Sequence, residues 1–367
     1  MQNSRASPAL VEARALTKTF PVRRGVLQRT VAQVQAVRAV DLEIEHSETY
    51  ALVGESGSGK TTLGRCLIRL VEPTSGRVFF GGRELTGMAA EELRVSRRHF
   101  QMVFQDPYGS LNPRMRIGRA LAEPLAIHRI VGRAERESEV DRILDLVGLP
   151  ASAKRRFPHE FSGGQRQRIC IARALASRPR FLVADEPVSA LDVSIQAQII
   201  NLLKELQTSL ELALLLIAHD LTVVSQASDR VGVMYLGRIV EEGRTESVFG
   251  RPQHPYTLSL LSAVPTPDPD TRRRRIVLPG EPPSASDPPS GCPFHPRCPI
   301  AESRCRTEEP VLAPTPAGHR AACHFPGELE SAAVRPTQSG EGRPPSASDP
   351  LSPRGSEQPN EAKLGSP

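Results

Sequence analysis

Gly54-Glu-Ser-Gly-Ser-Gly-Lys60-Thr61 is the stretch on which the fold turns. It satisfies G-x-x-x-x-G-K-[ST] in full. The apolar run Tyr50–Val53 precedes it and a helical pattern, Thr61–Leu70, follows. A strand that passes through glycines into a helix is the setting in which this spacing binds phosphate. The glycines let backbone N–H groups turn inward, and the helix N-terminus favours an anion. Gly54, Glu55, Ser56, Gly57, Ser58, Gly59, Lys60, Thr61 and Thr62 are therefore the expected phosphate cradle. Within it, Lys60 reaches the β/γ-phosphates, Thr61 offers its hydroxyl to Mg²⁺, and Ser58 or Thr62 adds further contacts.

Outward from this loop the pattern is α/β. Tyr50–Val53, His99–Phe104, Phe181–Ala184 and Leu212–Ala218 read as buried strands. Thr61–Leu70, Arg136–Val147, Gln165–Ala176 and Ile195–Leu206 read as helices. Their alternation predicts a mainly parallel sheet. Ala39–Ile44 and Arg77–Phe80 predict an antiparallel β layer beside it, Arg23–Gln35 an insert, and Arg230–Val240 a late hairpin turning at Leu236-Gly237.

The 367 residues allow one large domain with an extension, or two domains, at roughly 100–200 residues each. Hydrophobic residues make up 39%, which with the 27 glycines suffices for an ordinary globular core. No apolar stretch nears the roughly 18 residues of a transmembrane helix; the longest is Leu212–Ala218. Met1–Leu10 is polar and has no apolar core of a secretory signal. Net charge is +6, but the arginines are scattered among acids and only Arg272–Arg275 forms a solid basic run, so nucleic-acid binding gains little support. Of 34 prolines, 24 fall in the last 116 residues, and so do four of the six cysteines. That break divides the chain into 1–265, a Cys/Pro-rich 266–326 without periodicity, and 327–367, a polar tail expected to be disordered. Pro-Pro-Ser-Ala-Ser-Asp-Pro occurs at 282–288 and again at 344–350 and has linker chemistry.

Two further motifs carry chemistry. In Phe181-Leu-Val-Ala-Asp185-Glu186 an apolar strand ends in two acids. Asp185 suits a Mg²⁺ site and Glu186 the polarising of an attacking water. Ser162-Gly163-Gly164-Gln165 opens another helix, a second anion-binding N-terminus. One nucleotide does not need both from one subunit, but two subunits packed head to tail would use both. Cys66 and Cys170 fall on apolar helix faces and read as core packing. Cys292, Cys298, Cys305 and Cys323, spaced C-x5-C-x6-C-x17-C, can as four thiolates hold an iron–sulfur cluster or zinc.

Over roughly residues 10–265 the sequence resembles the nucleotide-binding subunit of an ABC transporter. The resemblance implies a P-loop core with an antiparallel β layer and a helical signature subdomain at about 106–178. It implies ATP and Mg²⁺ as ligands. It makes Gln105 the Q-loop glutamine that senses Mg²⁺ or the attacking water. It makes 162–165 the signature, Asp192 the D-loop aspartate, His219 the γ-phosphate switch and Phe20 the aromatic that stacks on adenine. Gly109–Pro113, Phe157–Ser162, Pro187–Gln198 and His254–Thr257 are similar to the dipeptide/oligopeptide/nickel importer branch. Val188 there suggests the second of two non-identical ATPase subunits. Members of that branch suggest a [4Fe–4S] cluster on the four cysteines, with tetrahedral zinc as the alternative and disulfides or free thiols behind it. The resemblance implies a translocating ATPase at the cytoplasmic face of a bacterial inner membrane. Its partners would be a second homologous ATPase subunit, two membrane permeases and an extracytoplasmic solute-binding protein. A soluble ABC ATPase acting on ribosomes or DNA is the rival reading, and nickel the rival solute.

Overall fold

The computed structural model describes residues 9–24, 29–189, 191–264 and 276–329 and builds them around two sheets. Strands β1 (Val11–Arg24) and β2 (Arg29–Ile44) form a long antiparallel hairpin. Strand β3 (Thr49–Val53) runs into helix α1 (Lys60–Leu67). Strands β4 (Ser75–Phe80) and β5 (Arg83–Glu84) complete an antiparallel sheet of order β2-β1-β4-β5. The stretch expected as an insert at Arg23–Gln35 instead prolongs the hairpin, Arg24 pairing with Arg29. Residues 30–35 are exposed or half-buried, so no core-facing pattern marks them as strand.

The second sheet has eight strands. β6 (Phe100–Val103), β7 (Phe181–Asp185), β8 (Ala213–Ile217), β3 and β9 (Arg230–Tyr235) are parallel neighbours. β10 (Arg238–Arg244) returns antiparallel from β9. Between β3 and β6 the chain adds α2 (Ala90–Ser96). Between β6 and β7 come α3 (Pro107–Ser110), α4 (Ile117–Ile127), α5 (Arg136–Leu146) and α6 (Gly163–Leu175). Then follow α7 (Val193–Ser209), α8 (Leu221–Ala227), α9 (Thr245–Gly250) and α10 (Pro255–Ser262).

The parallel strands are buried on both faces, which is why they read as unbroken apolar runs. Phe181, Val183, Leu215 and Ile217 face one core with α1 and the antiparallel sheet. Leu182, Ala184, Leu214 and Leu216 face the other, shared with α4 to α7.

The Cys-rich segment, though without periodicity in sequence, packs into a core. Its elements are short: a 3₁₀ turn at His295–Arg297, α11 (Ser303–Thr307), β11 (Ala313–Pro314) and β12 (Arg320–Ala321). β12 nevertheless pairs with β10, Glu241 opposite Ala321. Phe294 packs edge-on to Tyr235 at 5.3 Å and lies 5.5 Å from Tyr256. Cys292, Phe294 and Cys305 join Val231, Val233 and Tyr256 in a third core. Elements of two to five residues carry no measurable period, so burial here was invisible in the sequence. A carboxylate locks the junction. Glu241, fully buried, accepts from the amides of Gln253 (2.6 Å) and His254 (3.0 Å) and pairs with His319 Nε2 at 2.7 Å. Residues 265–275 and 330–367, which include the Arg272–Arg275 run and the second copy of the repeat, lie outside the described residues.

Because Phe294 sits in a core shared by both segments, Phe294→Ala is expected to destabilise the whole chain by about 3–5 kcal/mol. Urea unfolding followed by far-UV circular dichroism checks this; a change confined to local probes of 276–329 would contradict a shared core.

Candidate nucleotide site

The loop 54–59 leaves β3 at the carboxyl end of the parallel sheet, where open α/β sheets gather their ligands. Gly59, the residue before α1, has φ 105°, and a Cβ there would fall 2.0 Å from the carbonyl oxygen of Ala36. Only glycine fits that turn. Lys60 is buried, and its ammonium donates to the carbonyls of Gly54 and Glu55, each at 2.8 Å. Burial lowers its pKa, while Glu186, Asp185 and Glu55 oppose that shift.

Across β8, the end of β7 brings the acids. Thr61 Oγ1 donates to Asp185 Oδ1 at 2.7 Å. Asp185 is 1% exposed, and burial raises its pKa above the ordinary carboxylate value. Its Oδ2 makes no hydrogen bond, and Arg65 Nη2 stands 3.8 Å away. A hydroxyl beside a buried carboxylate with a spare oxygen is a donor set that suits a hard cation such as Mg²⁺. Glu186, the next residue, has φ 46°, a costly conformation for a residue with a side chain. Its amide donates to Ile217 O at 3.0 Å and its carbonyl accepts from Ser189 Oγ at 3.1 Å. The twist turns its carboxylate away from Asp185 to meet other strand ends. Gln105 Nε2 donates to Glu186 Oε2 at 2.7 Å, and His219 Nδ1 lies 3.8 Å from the same oxygen.

The sequence-predicted residues thus fall into groups. Residues 54–62, Gln105, Asp185, Glu186 and His219 converge. Ser162 and Gln165 instead cap each other at the start of α6, Gln165 N donating to Ser162 Oγ at 3.4 Å. Gly164 is needed there for close approach, since a Cβ would meet Ile195 Cγ2 at 2.5 Å. Asp192, exposed, begins α7. Among the described residues, no hydrogen bond or ion pair joins 162–165 to 54–62. Phe20 is 38% exposed on β1, with Lys18 Nζ 4.9 Å from its ring centre. Cys66 and Cys170 are buried thiols, pushed up to about 11 and about 12 by desolvation.

The other four cysteines are all free. Burial pushes Cys292 up to about 11 and Cys323 up to about 12, and the charges of Cys292, Cys298 and Cys305 all bear on Cys323. The Phe325 amide donates to Cys323 Sγ at 3.4 Å. Among the described residues, however, no three His, Cys, Asp or Glu side chains close into a ligand set for a metal ion.

Three contributors to the site were not legible in the sequence. Arg65 faces Asp185. The Tyr256 hydroxyl accepts from the Glu55 amide at 2.7 Å. Arg297 pairs with the Glu55 carboxylate at 2.9 Å, across 242 residues of chain. His254–Thr257 had signalled only kinship; in the fold, it seats Tyr256 under the loop.

A phosphate loop, a buried acid beside its threonine and a twisted glutamate held by glutamine define a P-loop nucleoside triphosphatase. Sequence relationships narrow the class. The ABC transporter family matches residues 37–189, and the oligopeptide/dipeptide transporter C-terminal region matches residues 240–305. A probable peptide ABC transporter ATP-binding protein of Sinorhizobium fredii is 49% identical over 331 residues, 90% of this chain and 94% of that one. The oligopeptide transport ATP-binding protein AppF of Bacillus subtilis is 49% identical over 86% of this chain and 97% of its own. Among solved structures, a dimeric ATP-binding cassette in a post-hydrolysis state with ADP and phosphate is 27% identical. It covers 64% of this chain and 98% of its own, with TM-score 0.57. The chain belongs to the ABC transporter ATP-binding proteins and is an ATPase. Among the described residues, no helix is long and apolar enough to cross a membrane.

The brace under the loop is pH-dependent. His254 is buried, its Nδ1 accepts from the Tyr256 amide at 3.1 Å, and desolvation pushes its pKa from 6.5 down to about 3. The fold holds it neutral, whereas the unfolded chain protonates it below about 6.5. Stability from this group is complete above the unfolded value and is lost as pH falls towards about 3. The expected slope is about 1.4 kcal/mol per pH unit below 6. His254→Asn keeps an acceptor at the helix start and is expected to flatten it, as read by urea midpoints between pH 7 and pH 5.

Proposed function

We propose that this chain is one of two ATP-hydrolysing subunits that energise a peptide importer. The observation that carries the reading is the convergence of Gln105 and His219 on one oxygen of Glu186, beside the Thr61–Asp185 pair. In it, 54–62 hold the phosphates and Phe20 stacks on adenine. Thr61, Asp185 and Gln105 hold Mg²⁺, which when bound offsets phosphate charge. Glu186 accepts a proton from the attacking water, Gln105 orients the carboxylate and His219 meets the γ-phosphate. Ser162–Gln165 and Asp192 serve the site of a partner subunit, an arrangement supported by their separation from 54–62 and by the dimeric relative.

Relatives named for peptide and oligopeptide transport, with the matched C-terminal region, favour peptides over nickel and over nucleic acid. The partners in this reading are a second homologous ATPase, two permeases and an extracytoplasmic solute-binding protein. The chain then lies peripherally on the cytoplasmic face of the bacterial inner membrane. Residues 1–265 form its nucleotide-binding domain, with the helical subdomain at about 106–178 and the cysteine-bearing region at 266–326. Glu186→Gln is expected to cut hydrolysis by about a hundredfold or more while ATP still binds. Phosphate release and fluorescent-ATP titration measure the two, and retained turnover would remove Glu186 from its role.

We further propose that Cys292, Cys298, Cys305 and Cys323 hold an iron–sulfur cluster, whose service here is to tie 292–323 together. Four free thiols gathered under partial burial, one with an amide aimed at its sulfur, support this. Anaerobically purified chain is expected to carry about four irons with matching sulfide, lost in Cys298→Ser. Stoichiometric zinc without sulfide would overturn the cluster and leave the ATPase reading intact.

A further inference from the structure

Glu55 is an awkward residue to find in a phosphate loop. Its carboxylate adds a negative charge beside the place where a polyanion binds, and like charges at short range repel. The structure neutralises it from an unexpected quarter. Arg297, 7% exposed, donates from Nη1 to Glu55 Oε2 at 2.9 Å and to Oε1 at 3.2 Å. The same residue of the loop is held at every other polar atom. Its amide donates to the Tyr256 hydroxyl at 2.7 Å. Its carbonyl accepts from Lys60 Nζ at 2.8 Å and from the Ser58 amide at 3.2 Å. Glu55 is thus the point at which the loop is pinned to the rest of the molecule.

Arg297 is itself rigidly mounted. It ends the 3₁₀ turn that begins at His295, and its amide donates to Phe294 O at 3.0 Å. Phe294 is wedged against Tyr235 and Tyr256, the latter being the residue that holds the Glu55 amide. One end of the segment, Cys292, is tied to α11 through its amide and Cys305 O at 2.9 Å.

We propose that Arg297 is a positioning residue for the nucleotide site. It neutralises Glu55 and fixes the carboxylate away from the phosphates, so that the 292–298 segment sets nucleotide affinity. The inference rests on the nucleotide reading of 54–61, and binding by the wild-type full-length chain tests that reading separately. Arg297→Met leaves Glu55 charged and unpaired, and is expected to raise the Kd for Mg²⁺ with a fluorescent ATP analogue by about tenfold. Adding Glu55→Gln to Arg297→Met removes the stray charge and is expected to restore most of the loss. Arg297→Lys, which keeps a charge with fewer donors, is expected to lose about threefold and provides a second, milder variant. Thermal melts run beside each titration. A wild-type Kd retained in folded Arg297→Met, or a loss that Glu55→Gln does not rescue, overturns the proposal. A general loss of packing would lower the melting temperature and weaken binding alike, and Glu55→Gln would not reverse it.

Discussion

The hydrogen bond from Thr61 to Asp185 joins the first turn of α1 to the end of β7, across the intervening strand β8. Everything in the site depends on those two elements meeting. They meet because β7, β8 and β3 are adjacent parallel strands of similar length, so their carboxyl ends lie side by side. The apolar residues on both faces of the strands hold that register, since a one-residue slip would turn each buried side chain to the wrong core. The carboxylate is buried without enough partners of its own, a cost that the sheet sustains.

The same geometry explains why Glu186 is strained. Asp185 must remain in the sheet beside Thr61, and Glu186 must leave it at once to reach Gln105 and His219. An ordinary extended backbone would send consecutive side chains to opposite faces of the sheet. The positive φ at Glu186 lets both acids serve one end of it, with the Ile217 carbonyl and the Ser189 hydroxyl holding the bend.

The cysteine-bearing segment is bound to this machinery more closely than its composition suggests. Glu241 lies at the junction with two amides and His319 around it, so the segment and β10 share one buried carboxyl group. Phe294 and Tyr256 share a core, and Arg297 and Tyr256 share Glu55. A disturbance at 292–305 therefore has a short physical route to the phosphate loop, through packed aromatic rings and one ion pair.

The sequence by itself determined the class of fold, the phosphate loop and the identity of the acids. Those features are local: a glycine spacing, an apolar run ending in Asp185 and Glu186, a helix opening on Ser162. It also carried the strands at 100–103, 181–185, 213–217 and 230–235, because burial on both faces leaves an unbroken apolar signature. Of β1 and β2, the alternately buried stretch 39–44 was legible, while the outer part, 17–23 with 30–35, is not buried and carries no such signature. What only the tertiary structure decided is which distant residues complete the site. Arg65, Tyr256 and Arg297 belong to no motif, and nothing in the order of residues says that a charge at 297 will meet one at 55. Such pairings arise from how separate cores pack against each other, and packing compares surfaces that the linear chain never sets side by side.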